Sequence, residues 1–246
     1  MVSFTTPAFI VRSTDVGAAD RLYTLYTRDR GKIDVIAKGI RKAESKLQSS
    51  MQVAAELEVY VIAQRRFTLG GSVIREVLPE IFSSLPALWA FQHALDIVHT
   101  LTQHEHPDKA VFELLKSFLR TLNLHHRAQP ERILYSTVSF DVHLLGVLGH
   151  APALGIADED DDRYALRSGG LYFRKDMAGL PYQLITKEGR SLLRFAQHKS
   201  FEDCFMVVIR PAQADMQRLY MRVLLEEYDA ASLSSDRTIK DFLPSK

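Results

Sequence analysis

Arg30-Gly31-Lys32-Ile33 contains a Gly-Lys pair of the kind that cradles nucleotide phosphates. A phosphate-binding loop also needs a glycine five residues before that glycine and a hydroxyl after the lysine; this chain has Tyr26 and Ile33 there, so no nucleotide cradle is encoded. There is no Gly-x-Ser-x-Gly elbow. The single cysteine, Cys204, is flanked by Asp203 and aromatic residues and has no local group to activate a thiolate, so a buried structural thiol is expected. The acidic run Asp158 to Asp162 lacks the glycine and the closing glutamate of a calcium-binding loop and reads as a solvated, like-charge loop. His104 with His106 and His125 with His126 fall at predicted helix ends, where histidine is commonplace, and are not expected to hold metal. No catalytic residue, metal or cofactor is expected.

The informative chemistry is cationic. Between Arg28 and Lys46 seven Lys and Arg face three acidic residues, a local charge of +4 in a chain whose formal net charge is +1. Lys38, Arg41, Lys42 and Lys46 fall in one loop that leaves a strand through Gly39, where backbone amides and Ser45 can also reach phosphate oxygens. Lys32 and Arg21, on the neighbouring strands, complete the expected DNA-binding set. The competing reading is an ordinary solvated connection. Tyr23, Tyr26, Tyr60 and Phe67 are the aromatic residues available for base stacking, although the core or wall of a barrel accounts for each of them as well.

These residues need a scaffold, and the first 80 residues read as strands. Ile33, Val35 and Ala37 alternate with Lys32, Asp34, Ile36 and Lys38, the period of a half-buried strand. Residues 21–27 form its hairpin partner across Asp29-Arg30-Gly31. Runs at 8–12, 56–62 and 67–74 bring the total to five short antiparallel strands, which suit a small closed barrel better than a sandwich of about seven. Barrels of this type bind nucleic acid across one face.

Beyond Pro79 apolar residues recur at helical spacing, as in Leu88, Phe91, Leu95, Val98 and Leu101, and again from Val111 to Leu122. A third helix runs from Pro130 to a glycine cap at Gly149, and further helices follow Lys187, including a terminal one near Thr238 to Phe242. Residues 164–173 suggest a loop with a short hairpin turning at Gly169-Gly170. The fold class is therefore α+β: a barrel domain over 1–80 and a mainly helical domain over 81–246. Hydrophobic residues make up 46% of the chain, charged residues 25%, and one cysteine permits no internal disulfide. With no signal-like N-terminus and no apolar run long enough to span a bilayer, a cytoplasmic, nucleoid-associated protein is expected.

Three N-terminal elements, Ile10-Val11 with Gly17 and Asp20, Leu25-Tyr26-Thr27 with Gly31-Lys32, and Ala37-Lys38-Gly39-Ile40-Arg41 with Ser45, resemble in order those of the RecO recombination mediators. Leu144-Leu145-Gly146-Val147-Leu148-Gly149-His150-Ala151-Pro152 and Ser168-Gly169-Gly170 extend the resemblance over most of the chain. It implies an N-terminal OB-fold barrel and a helical domain with a small zinc-finger-like insertion over 150–185. In this chain Ala157, Asp160, Phe173 and Asp176 stand near the family's cysteine positions, so the insertion is expected to be zinc-free. It also implies a non-enzymatic protein that binds single- and double-stranded DNA, anneals complementary strands and, with RecR, helps load RecA onto DNA covered by single-strand-binding protein (SSB). The acidic, apolar-ended SSB tail would then need a basic rim on the helical domain, for which Arg120, Arg127 and Arg132 are the candidates. An OB-fold RNA-binding or translation accessory protein is the alternative reading of the same basic barrel.

Overall fold

The computed structural model describes residues 2–155, 164–167 and 169–228. The acidic run 158–162, Ala157, Asp160, Ser168 and the expected terminal helix lie outside them. The chain divides into two compact units, one of residues up to Ile81 together with Thr102–Ser117, the other of Phe82–Leu101 together with residues from Phe118 onward.

The first unit is a closed barrel of five strands: β1 (Val2–Val16), β2 (Asp20–Thr27), β3 (Gly31–Ala37), β4 (Ala55–Ala63) and β5 (Phe67–Val77). Their order around the wall is β1-β2-β3-β5-β4, the Greek-key closure of an OB-fold. A short helix α1 (Lys46–Ser50) stands between β3 and β4. The strand β1 is long because it serves two partners: its first half pairs with β4 and its second with β2, and Ala8 is opposite both Leu57 and Thr27. A bulge between Ile10 and Arg12 bends it around the wall.

The sequence suggested antiparallel pairing throughout, but the barrel closes through a parallel pair, Val35 opposite Phe67 and Ile36 opposite Thr68. Five strands joined in the order β3-β2-β1-β4-β5 by four antiparallel pairings leave β3 and β5 running in the same sense, so the pair that closes the barrel is parallel. Inside, Ala8, Ile10, Tyr23, Leu25, Ile33, Val35, Ala37, Leu57, Val59, Val61 and Leu69 form the core. Along β2, β3 and β4 these are alternate residues, as the pleat requires. At Gly70 an added Cβ would fall 2.6 Å from the Tyr60 ring, so glycine is required for that ring to lie across β5.

Part of the outward face is covered too. Segment Thr102–Ser117, which the sequence placed among the helices, packs with the barrel and includes the first half of α3 (Lys109–Leu124). Phe112 packs on Phe9 with ring centroids 5.4 Å apart, and the Tyr26 hydroxyl donates to the Asp108 carbonyl at 3.4 Å. The carboxylate of Asp108 accepts from the amides of Ala110 and Val111 and so caps the helix start.

The second unit is built around α4 (Pro130–Val147). This helix is buried on nearly all sides and packs against α2 (Leu85–Leu101), α5 (Lys187–His198), α6 (Phe201–Met206) and α7 (Pro211–Leu225). Three of its polar residues bond to neighbouring helices: the Ser139 hydroxyl donates to the Ala196 carbonyl at 2.9 Å, the Tyr135 hydroxyl to that of Leu192 at 2.7 Å, and the Asp141 carboxylate lies 2.9 Å from His93 Nε2. Proline at the first turn favours the start, and Gly149, at φ 83°, follows the last turn. Cys204 is fully buried on α6, and burial pushes its thiol up to about 11.

Residues 164–184 hold a small three-stranded sheet, β6 (Tyr164–Arg167), β7 (Gly170–Phe173) and β8 (Gln183–Leu184), in the order β7-β6-β8. Gly170 is required there, since a Cβ would lie 2.5 Å from the Ala153 carbonyl oxygen. Among the described residues no helix is long and apolar enough to cross a membrane, and no group of three or more His, Cys, Asp or Glu is placed to hold a metal ion.

Candidate nucleic-acid interface

The loop after β3 is held in a defined shape by the β1–β2 turn. Gly39 adopts φ 65° and its amide donates to Asp20 Oδ1 at 2.8 Å, while the Arg41 amide donates to the Ala19 carbonyl at 3.0 Å. Between them Ile40 turns into the barrel and is 2% exposed. That anchor leaves Lys38, Arg41 and Lys42 exposed around it. The structure thus brings these three predicted cations together on one anchored loop. Lys46 opens α1, and its side chain lies outside the described residues.

Arg21 and Arg41 share a carboxylate. Arg21 Nε is 2.7 Å from Asp15 Oδ1 and Arg41 Nε is 3.4 Å from Asp15 Oδ2. The hydrogen bond from Arg21 holds the Asp15 carboxyl below its usual range. The pairs are solvent-exposed and therefore weak, so a phosphate oxygen can displace the carboxylate at small cost. Asp15 bridges the two guanidinium groups.

Lys32 is a correction to the predicted set. Alternation places it on the outward face of β3, but Thr102 to Glu105 lie along that face. Lys32 pairs with His104 in a parallel bridge, its carbonyl accepts from the Glu105 amide at 2.8 Å, and its Nζ donates to the Thr102 carbonyl at 2.5 Å. The residue is only 5% exposed, and burial lowers the pKa of its ammonium group. Lys32 therefore ties the Thr102 segment to the barrel and cannot present its charge to a phosphate.

Sequence reasoning missed a second basic element. Arg65 and Arg66, between the strand runs at 56–62 and 67–74, form the exposed β4–β5 turn. With Gln64 and Phe67 they line an open groove of about 730 Å³ whose other walls are Val16, Leu22, Ile33, Asp34, Ile36, His104 and Glu105. A β2–β3 surface bordered by the β1–β2 and β4–β5 loops is where OB-folds take oligonucleotides. The signal was available: a double arginine in the β4–β5 turn of a five-stranded barrel. Of the four aromatic residues, Tyr23 and Tyr26 are buried, Tyr60 is exposed over Gly70, and Phe67 lines the groove with its ring edge-on to Phe4 at 5.9 Å.

In the second unit, Arg120 on α3 and Arg127 after it are exposed, whereas Arg132 in the first turn of α4 is half-buried with its Nε enclosed. Two of the three predicted rim residues are thus presented to solvent.

Residues 1–72 match the profile described as Recombination protein O N terminal, and residues 83–232 match Recombination protein O C terminal. A protein of Dehalococcoides mccartyi strain CBDB1 named DNA repair protein RecO is 29% identical over 248 residues, covering 95% of each chain. One of the same name from Roseiflexus sp. strain RS-1 is 28% identical over 254 residues, covering 94% of this chain and 84% of its own. The chain belongs to the RecO family of DNA repair proteins.

Proposed function

We propose that this protein is a recombination mediator that binds single- and double-stranded DNA on its barrel, anneals complementary strands and, together with RecR, helps load RecA onto SSB-coated DNA. The observation that carries the DNA-binding part is the exposed cationic surface of the barrel: Lys38, Arg41 and Lys42 on the β3–α1 loop, Arg21 beside them, and Arg65 and Arg66 bordering the groove. Lys46 extends the loop in sequence. Contacts of this kind are to phosphate and carry no sequence information of their own, which suits a protein that anneals strands.

Annealing needs two strands brought together with their charge screened, and no bond in the DNA is made or broken, so the protein acts without catalysing a covalent step. The partners RecR, RecA and SSB rest on family membership, and Arg120 and Arg127 are the surface offered to the acidic SSB tail. Its place of action is the cytoplasm, at the nucleoid.

The test is a fluorescence annealing assay on complementary strands, bare and coated with SSB. Acceleration of both is expected; failure to accelerate annealing of bare strands would reject the reading. Competition between single-stranded DNA and RNA of one sequence separates it from an RNA-binding role, which would be favoured by preferential displacement with RNA.

A further inference from the structure

The groove on the barrel is not uniformly basic. Arg65 and Arg66 sit at one side, while Asp34 and Glu105 stand among the apolar residues Leu22, Ile33 and Ile36. A channel meant only for phosphate would not carry two carboxylates, because each repels the backbone it is meant to hold. Both acids are also held by the scaffold. Asp34 Oδ1 accepts from the Thr24 hydroxyl at 2.7 Å, which sets the plane of its carboxylate. Glu105 is one of two non-glycine residues with positive φ among the described residues, at 55°, and is kept there by the hydrogen bond that its backbone N–H donates to the Lys32 carbonyl. Lys32 in turn is anchored on Thr102. Left-handed backbone in a non-glycine residue costs free energy and persists where surrounding contacts impose it.

We infer that this groove takes the bases of single-stranded DNA, with Asp34 and Glu105 accepting hydrogen bonds from their amino groups, so that strands bearing cytosine bind more tightly than strands bearing only thymine. The inference rests on the DNA-binding reading above and adds a base preference to it. In a single strand the Watson–Crick edge is unpaired and can be turned toward the protein. Cytosine presents its N4 amino donor, and adenine and guanine also carry exocyclic amines, each matched to a carboxylate. Thymine offers one ring N–H between two carbonyl oxygens, and those oxygens face the acids unfavourably. Arg65 and Arg66 hold the phosphates at the rim, and Phe67 offers an apolar surface beside the bases. Double-stranded DNA, with these edges already paired, gains nothing from the acids and meets only the cationic loop.

The experiment is fluorescence anisotropy of the full chain with labelled cytosine-only and thymine-only oligonucleotides of equal length, at slightly alkaline pH so that cytosine stays neutral. The expected result is roughly threefold to tenfold tighter binding of cytosine, the scale of one or two solvent-accessible charge-assisted hydrogen bonds. Because both strands carry the same charge, that ratio should persist as salt rises while both affinities fall. In the double variant Asp34→Asn with Glu105→Gln the ratio should shrink toward one, even though removing two negative charges tightens binding of both strands. Equal affinities in the parent protein would overturn the inference and leave DNA binding standing. A double variant that gains affinity for both strands by one factor, ratio intact, would overturn it as well, reducing the acids to background repulsion. Absence of binding to either strand would overturn the DNA-binding reading and this inference together.

Discussion

Lys116 Nζ, on the first half of α3, lies 2.9 Å from Oε2 and 3.0 Å from Oε1 of Glu56, at the start of β4. The glutamate side chain is 5% exposed and the lysine 21% exposed, so this is a largely desolvated ion pair formed across 60 residues of sequence. Removing one member leaves the other charge buried without its counter-ion. Lys116→Met should destabilise the first unit by about 3 kcal/mol, the low end for a buried pair because the lysine retains some solvent. The double change Glu56→Gln with Lys116→Met should recover most of that loss. Urea denaturation followed by circular dichroism measures both, and equal losses in the single and double variants would show that the pair is not coupled.

If the proposed phosphate contacts are made, DNA affinity depends on salt. Arg41→Glu with Lys42→Glu should weaken DNA binding and annealing and flatten the salt slope by about 0.7 to 0.9 for each phosphate no longer neutralised. Arg65→Glu with Arg66→Glu should act in the same direction. All four side chains are exposed, so the circular dichroism spectrum should not change. Parent-like affinity and salt slope in a folded loop variant would remove the β3–α1 loop from the DNA site.

A labelled SSB tail peptide should bind the full chain with roughly threefold to tenfold lower affinity in Arg120→Glu or Arg127→Glu, as expected for charges at the rim of an interface. Arg132→Glu is the less informative variant, since its partly enclosed guanidinium makes the residue part of the packing around α4. Fluorescence titration at two salt concentrations is the measurement. Unchanged affinity in both exposed variants would place the tail elsewhere.

Buried acids set an alkaline limit to stability. Burial raises the pKa of Cys204 to about 11 and raises those of Tyr26 and Tyr135. The unfolded chain loses these protons first, so their contribution is intact below about pH 9 and falls as pH rises through the folded values, by about 1.4 kcal/mol per pH unit for each group in its window. Lys32, lowered by burial, works in the opposite sense as one group against three. The urea midpoint should therefore be lower at pH 10 than at pH 8, and Cys204→Ala should reduce the difference, because its thiol titrates first in the unfolded state. A midpoint unchanged between the two pH values would contradict this.

The barrel was legible because alternation is local: Ile33, Val35 and Ala37, or Leu57, Val59 and Val61, announce an inward face with no knowledge of the partner strand. The long helices were legible for the same reason, through their apolar spacing and the Pro130 start. The cationic loop could be read because its residues are contiguous and Gly39 marks the exit from the strand.

Periodicity states which side of a strand a residue occupies; it says nothing of what lies over that side. Lys32 and Tyr26 both point outward, and only the return of Thr102–Ser117 to the barrel buries them, through contacts 70 and 82 residues apart in sequence. The same long-range packing decided the parallel β3–β5 closure, the partnership of Glu56 with Lys116, and the meeting of Arg65 and Arg66 with Asp34 and Glu105 around one groove. Sequence by itself determined the elements, the inward faces and the family motifs. Tertiary structure alone decided which outward residues stay in water, because that depends on distant segments finding one another.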